Sequence, residues 1–134
     1  MKLDVLLEEV LPHPVEAVWD ALTDPEAISE WLMATTDFVP RVGAAFRLRT
    51  ERLSADGWVK AEVLELEPRR RMVWSWSVGD GLGPSTVTFE LAAESGGTRL
   101  KLTHVGEIND AGGEEISGGW PSRIELMRRS LAQA

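Results

Sequence analysis

Ser85-Thr86-Val87-Thr88-Phe89-Glu90-Leu91 and Thr98-Arg99-Leu100-Lys101-Leu102-Thr103-His104 flank the break Glu94-Ser95-Gly96-Gly97. In the first run Val87, Phe89 and Leu91 alternate with Thr86, Thr88 and Glu90; in the second, Leu100, Leu102 and His104 alternate with Arg99, Lys101 and Thr103. Strict alternation buries one face of a strand, and glycine supplies the positive φ of a tight turn, so the segment predicts a β-hairpin. Beyond a polar, glycine-rich crossing, Trp120, Ile124, Met127 and Leu131 recur at helical spacing, with Arg123, Arg128 and Arg129 on other faces. The expected helix runs from roughly Glu115 or later to about Leu131. A long final helix laid on a one-sided antiparallel sheet leaves a space between the two, and the contents of that space set the functional question.

Upstream, Leu3, Val5 and Leu7 alternate with Lys2, Asp4 and Leu6, predicting a first strand over residues 2–11 that Pro12-His13-Pro14 ends. Val15, Val18, Trp19 and Leu22 form one face of a short helix. Asp24 as N-cap and Pro25 at the first helical position start another, with Ile28, Trp31 and Leu32 inward. Phe46 and Leu48 then alternate with Arg47 and Arg49, and Ser54-Ala55-Asp56-Gly57 reads as a turn. In residues 58–67 the phase changes, Val59, Ala61 and Val63 sharing one parity and Leu64 and Leu66 the other, which a β-bulge would reconcile. Met72, Trp74, Trp76 and Val78 alternate with Val73, Ser75 and Ser77 in the strongest apolar row of the chain. The order β-α-α-β-β-β-β-β-α defines an α+β class.

A length of 134 residues fits a single domain, 1–134. Formal charge is −8, from 22 acidic and 14 basic residues, which argues against nucleic acid or an anionic membrane surface as partner. There is no cysteine, so disulfides, thiol nucleophiles and cysteine metal sites are excluded. Met1-Lys2-Leu3-Asp4 leads into an alternating strand without the apolar stretch of a signal peptide, and no run reaches the ~18 apolar residues of a membrane span; the expected location is the cytoplasm.

The element order, together with Pro14 to Trp31 (PVEAVWDALTDPEAISEW), Arg41-Val42-Gly43, Leu64-Glu65-Leu66-Glu67-Pro68 before Val73-Trp74-Ser75-Trp76, Gly97-Thr98-Arg99-Leu100 with Leu102-Thr103-His104, and Gly119-Trp120-Pro121, resembles the helix-grip fold of the START-like (SRPBCC) superfamily. Within it the chain is similar to the bacterial family named after the C-terminal domain of the heat-shock-protein-90 ATPase activator. Ala44 departs from the pattern, in which a second glycine usually follows Gly43. The resemblance implies a curved antiparallel sheet of about six strands around the C-terminal helix, two short helices after the first strand, and an apolar cavity between helix and sheet. Fold alone does not assign function, since the superfamily includes carriers, receptors and cyclases.

The first functional expectation is a domain that binds a hydrophobic, ring-containing small molecule, with Phe46, Leu48, Trp74, Trp76, Phe89, His104, Trp120, Ile124 and Met127 as candidate lining residues. By parity Trp74 and Trp76 face the final helix, where flat rings suit a ligand cavity or close packing. A polyketide-cyclase-like or hydrolase-like enzyme is the alternative, with inward-pointing His104 as its general acid or base. A protein-interaction or stress-response module is the other, acting through a homodimer or a protein partner; the namesake's separate N-terminal binding domain has no counterpart in these 134 residues, which argues against chaperone activation. No cofactor and no metal are expected: His13 and His104 lie far apart, and the Gly79–Gly83 string lies between antiparallel strands instead of between a parallel strand and a helix. His13 reads as surface, and Arg69-Arg70-Arg71 as a solvated hairpin end.

Overall fold

A computed structural model describes residues 2–51, 53, 56–78 and 84–133. Seven strands form one antiparallel sheet in the order β1-β7-β6-β5-β4-β3-β2. The strands are β1 (Lys2–Leu11), β2 (Thr35–Thr36), β3 (Ala45–Arg49), β4 (Trp58–Glu67), β5 (Arg71–Ser77), β6 (Ser85–Glu94) and β7 (Gly97–Glu107). Helices α1 (Val15–Thr23) and α2 (Pro25–Trp31) follow β1, and α3 (Asp110–Ala132) follows β7. This is the helix-grip α+β arrangement that the alternation and the final apolar stripe imply. The expected sheet has about six strands, and the additional one is β2. Two residues cannot carry an alternation signal; β2 is held by pairing with Leu48 and Arg47 and by the Thr35 hydroxyl donating to Arg47 O at 2.9 Å.

Local chemistry accounts for the element boundaries. Asp24 ends α1 and caps α2, its carboxylate accepting from the Glu26 N–H at 3.3 Å with Pro25 at N1. The indole of Trp31 donates to Ala21 O at 2.7 Å, locking α2 against α1 in the core. The phase change in β4 is a bulge: Val63 pairs with Trp74 and Glu65 with Val73, so Leu64 is the extra residue and turns outward. The β6–β7 turn closes at Glu94 and Gly97, with Gly96 at φ 83°.

Helix α3 begins earlier than its apolar stripe suggests. Its first turn is Asp110-Ala111-Gly112, capped by the Asn109 side chain accepting from Gly112 N at 2.7 Å, and Ile116 is buried one turn before Trp120. Asp110, Glu114 and Glu115 therefore lie inside the helix. A capped end and a buried isoleucine offset the poor helix propensity of four glycines. Pro121 sits within the helix and provides no N–H to the preceding turn. The C-terminal half is fastened at both sides: Arg128 bonds Val10 O and Glu9, and Ser130 bonds Glu30. No helix among the described residues is long and apolar enough to cross a membrane. The Ser54-Ala55 part of the expected turn and the Gly79–Gly83 string lie outside the described residues.

Candidate functional site

The inner face of the sheet divides along its length. Around Trp74 it is filled. Phe46 and Phe89 meet the Trp74 ring at 5.0 and 4.8 Å between centroids, and Phe38 closes on both Phe46 (4.9 Å) and Trp74 (6.0 Å). Edge-to-face contacts at these distances are close packing. Leu48, Ile124 and Met127 are buried in the same core.

Two residues along β5, Trp76 borders open space. A cavity of about 550 Å³ lies between the end of α2, the end of β3 and the N-terminal half of α3. Ser29, Leu32, Met33 and Ala34 form one wall; Arg49, Thr50, Glu51 and Leu53 form another. Trp76 closes it from the sheet, and Glu115, Ile116, Gly119, Trp120 and Arg123 come from α3. Of the nine residues proposed from sequence as lining a ligand, Trp76 and Trp120 border this cavity. Phe46, Leu48, Trp74, Phe89, His104, Ile124 and Met127 lie in the packed interior behind it.

Behind Trp76 and Trp120 runs a buried hydrogen-bond chain. The Trp120 indole donates to His104 Nδ1 at 3.0 Å. An indole N–H only donates, so Nδ1 is unprotonated and the imidazole carries its proton on Nε2. That N–H reaches Ser85 Oγ at 2.7 Å, and the Ser85 hydroxyl donates to Trp76 O at 3.2 Å. Gly106 makes room for Ser85, because a Cβ there would come within 2.8 Å of Ser85 Cα and Cβ. His104 is 0% exposed, and burial lowers its pKa to about 3. The imidazole is therefore neutral with both nitrogens engaged. It orients Trp120, and both of its ring nitrogens are engaged, so it presents no free lone pair or proton to the cavity.

His13 is half-buried; its carbonyl accepts from the Thr98 hydroxyl at 2.7 Å, so the turn is tied down on its backbone side. In the Arg69–Arg71 turn, Arg71 pairs with Glu65 and Glu90 at 3.3 and 3.0 Å. Among the described residues no three His, Asp or Glu side chains are grouped to hold a metal ion.

The model of the family described as Activator of Hsp90 ATPase homolog 1-like protein matches residues 12–132. No curated protein matches the chain. Among solved structures, the crystal structure of protein MLL2253 from Mesorhizobium loti is similar at 30% identity and a TM-score of 0.85, covering 98% of each chain. CalU16 from Micromonospora echinospora is 26% identical with a TM-score of 0.79, over 96% of this chain and 76% of that one. DynU16, from the dynemicin biosynthetic locus, is 26% identical with a TM-score of 0.80; the match spans 96% of this chain and 47% of DynU16.

Proposed function

We propose that this chain, which belongs to the family of Activator of Hsp90 ATPase homolog 1-like proteins, binds a hydrophobic, ring-containing small molecule in the cavity between the sheet and the N-terminal half of α3. The observation that carries the reading is the cavity of about 550 Å³ walled by Trp76 and Trp120, beside a core that is otherwise filled with rings. That volume lies within the range of small-molecule sites, ~300–1,000 Å³, and indole faces suit flat apolar ligands. The hydrogen-bond chain through His104 supports it by holding Trp120 in one orientation before a ligand arrives, which lowers the entropic cost of binding. The similarity to DynU16, from a biosynthetic locus, fits a domain that handles a small molecule.

Titration with a naphthalene-type probe tests the proposal. Saturable quenching or shift of tryptophan emission is expected, with affinity altered in Trp76→Ala. Native mass spectrometry before and after organic extraction should also show a co-purifying small molecule lost on extraction. Absence of saturable probe binding to the folded wild type would overturn the reading.

A further inference from the structure

We propose that two copies of this chain associate edge to edge through β1, in an antiparallel pairing centred on Val5 that joins their sheets into one. The two margins of the sheet are unequal. At one, β2 offers only Thr35 and Thr36. At the other, β1 is ten residues long and pairs on one side only, with β7. A long open strand presents a row of unpaired N–H and C=O groups, on which another strand can add.

The ladder fixes which groups are free. The β6–β7 hairpin closes at Glu94 and Gly97 across a two-residue turn, so that pair is hydrogen-bonded and the bonds alternate from there. Arg99 and Lys101 then bond toward β6, and Thr98, Leu100, Leu102 and His104 toward β1. Their partners Leu11, Glu9, Leu7 and Val5 bond inward to β7, which leaves the N–H and C=O groups of Lys2, Asp4, Leu6, Glu8 and Val10 pointing outward. Arg128 agrees with this assignment, since it donates to Val10 O at 3.2 Å and to the Glu9 carboxylate at 3.0 Å. Helix α3 thus closes the edge at residues 9–10 and leaves 2–8 open. The midpoint of that open run is Val5.

A two-fold axis at Val5 sets Lys2 opposite Glu8 of the second copy, Leu3 opposite Leu7, Asp4 opposite Leu6 and Val5 opposite itself. On the outer face symmetry repeats the Lys–Glu contact, giving two ion pairs. Glu8 already meets Arg99 at 3.2 Å, but Arg99 also holds Glu94 at 2.8 Å, so Glu8 can be shared. On the inner face every pair is apolar. Leu3 is fully buried, whereas Val5 and Leu7 are only half-buried against the core, and a second strand covers them. Leu6, 62% exposed, meets its own copy diagonally, within reach of a long side chain. Neighbouring registers do worse. An axis at Leu6 sets Asp4 opposite Glu8 twice, and one at Asp4 sets that carboxylate opposite itself; like charges directly opposite are destabilising. An axis at Leu7 needs Val10, whose carbonyl Arg128 already holds. With a net charge of −8 on each copy and a contact confined to two strands, the association is weak and concentration-dependent.

Sedimentation equilibrium of the full chain over a range of concentrations tests this, and the weight-average mass should rise from monomer toward dimer. Lys2→Glu and Glu8→Lys each turn both ion pairs into repulsions and should each raise Kd about tenfold. An equimolar mixture of the two variants restores opposite charges at both pairs and should recover wild-type association. Register is read from single cysteines, since the chain has none. Val5 and its copy form a non-hydrogen-bonded pair with Cα atoms about 4.5 Å apart, which a disulfide can span. Mild oxidation should link Val5→Cys into a dimer and leave Leu7→Cys unlinked, its thiols lying about 14 Å apart. A wild type that stays monomeric at every concentration would overturn the proposal. So would a Kd that neither charge variant changes, a failure of Val5→Cys to link, or equal linking at Val5 and Leu7. Should a charge variant not fold, the two cysteine variants still decide.

Discussion

Trp74 and Trp76 share a strand and a face, and the structure gives them opposite environments. Trp74 is enclosed by Phe38, Phe46 and Phe89; Trp76 has His104 and Trp120 on one side, at 5.1 and 5.9 Å, and a cavity on the other. The difference arises in the layer opposite the sheet. Phe38, which follows β2, closes over Trp74, whereas Trp76 lies across from the stretch of α3 that contains Gly118 and Gly119. Strand parity decides which side a residue faces. The bulk arriving from other elements decides whether it becomes core or wall.

The largest expected effect follows directly. Trp74→Ala removes a ring held by three aromatic neighbours and should cost about 3–5 kcal/mol, read from denaturant unfolding. Trp76→Ala should cost less than that range, because one of its sides already lacks packing partners, and should alter probe affinity where Trp74→Ala acts on stability. Equal losses at the two positions would break the contrast between a filled and an open region.

The polar chain behind Trp76 yields a pH-dependent effect of comparable size. His104 has a folded-state pKa of about 3, against an ordinary value near 6.5 in the unfolded chain. Between those values the unfolded chain binds the proton and the native chain does not, so stability rises with pH there. The contribution is fully present above about pH 6.5 and is lost as pH falls toward 3, at up to about 1.4 kcal/mol per pH unit. His104→Gln, neutral throughout, should flatten the stability profile by about one proton across that window. An unchanged slope in the variant would show that His104 does not titrate on unfolding.

How far the molecule is legible in its sequence depends on whether a feature is periodic. The alternation in Val87–Leu91, Leu100–His104 and Met72–Val78 yields three neighbouring strands, and the phase change at Leu64 yields the bulge. The early start of α3 is hidden because Gly112, Gly113, Gly118 and Gly119 read as a crossing; the Asn109 cap and buried Ile116 are too sparse to form a period. The cavity is less legible still. Leu32, Met33, Arg49, Ile116 and Arg123 converge from three elements whose mutual distances no local pattern encodes. The available signal was spatial: small residues, Gly118-Gly119, immediately before Trp120 on a helix destined to face a row of tryptophans.

Those glycines provide the smallest and most discriminating test of the contrast. A Cβ on Gly118 or Gly119 would meet nothing within 4 Å, and neither residue needs positive φ. Alanine at either position should therefore stabilise α3 by about 0.5–1 kcal/mol through the lower entropy of the unfolded chain. Gly112→Ala should gain less, since its Cβ would crowd Asn109 Oδ1 and Ile108 Cδ1 at 3.1 Å and disturb the helix cap. Only Gly119 borders the cavity, so Gly119→Ala should lower naphthalene-probe affinity severalfold while Gly118→Ala leaves it unchanged. Matching stability gains with different binding would separate the helix's own propensity from its role as a wall. The same probe affinity in both variants would show that the ligand does not reach this part of α3.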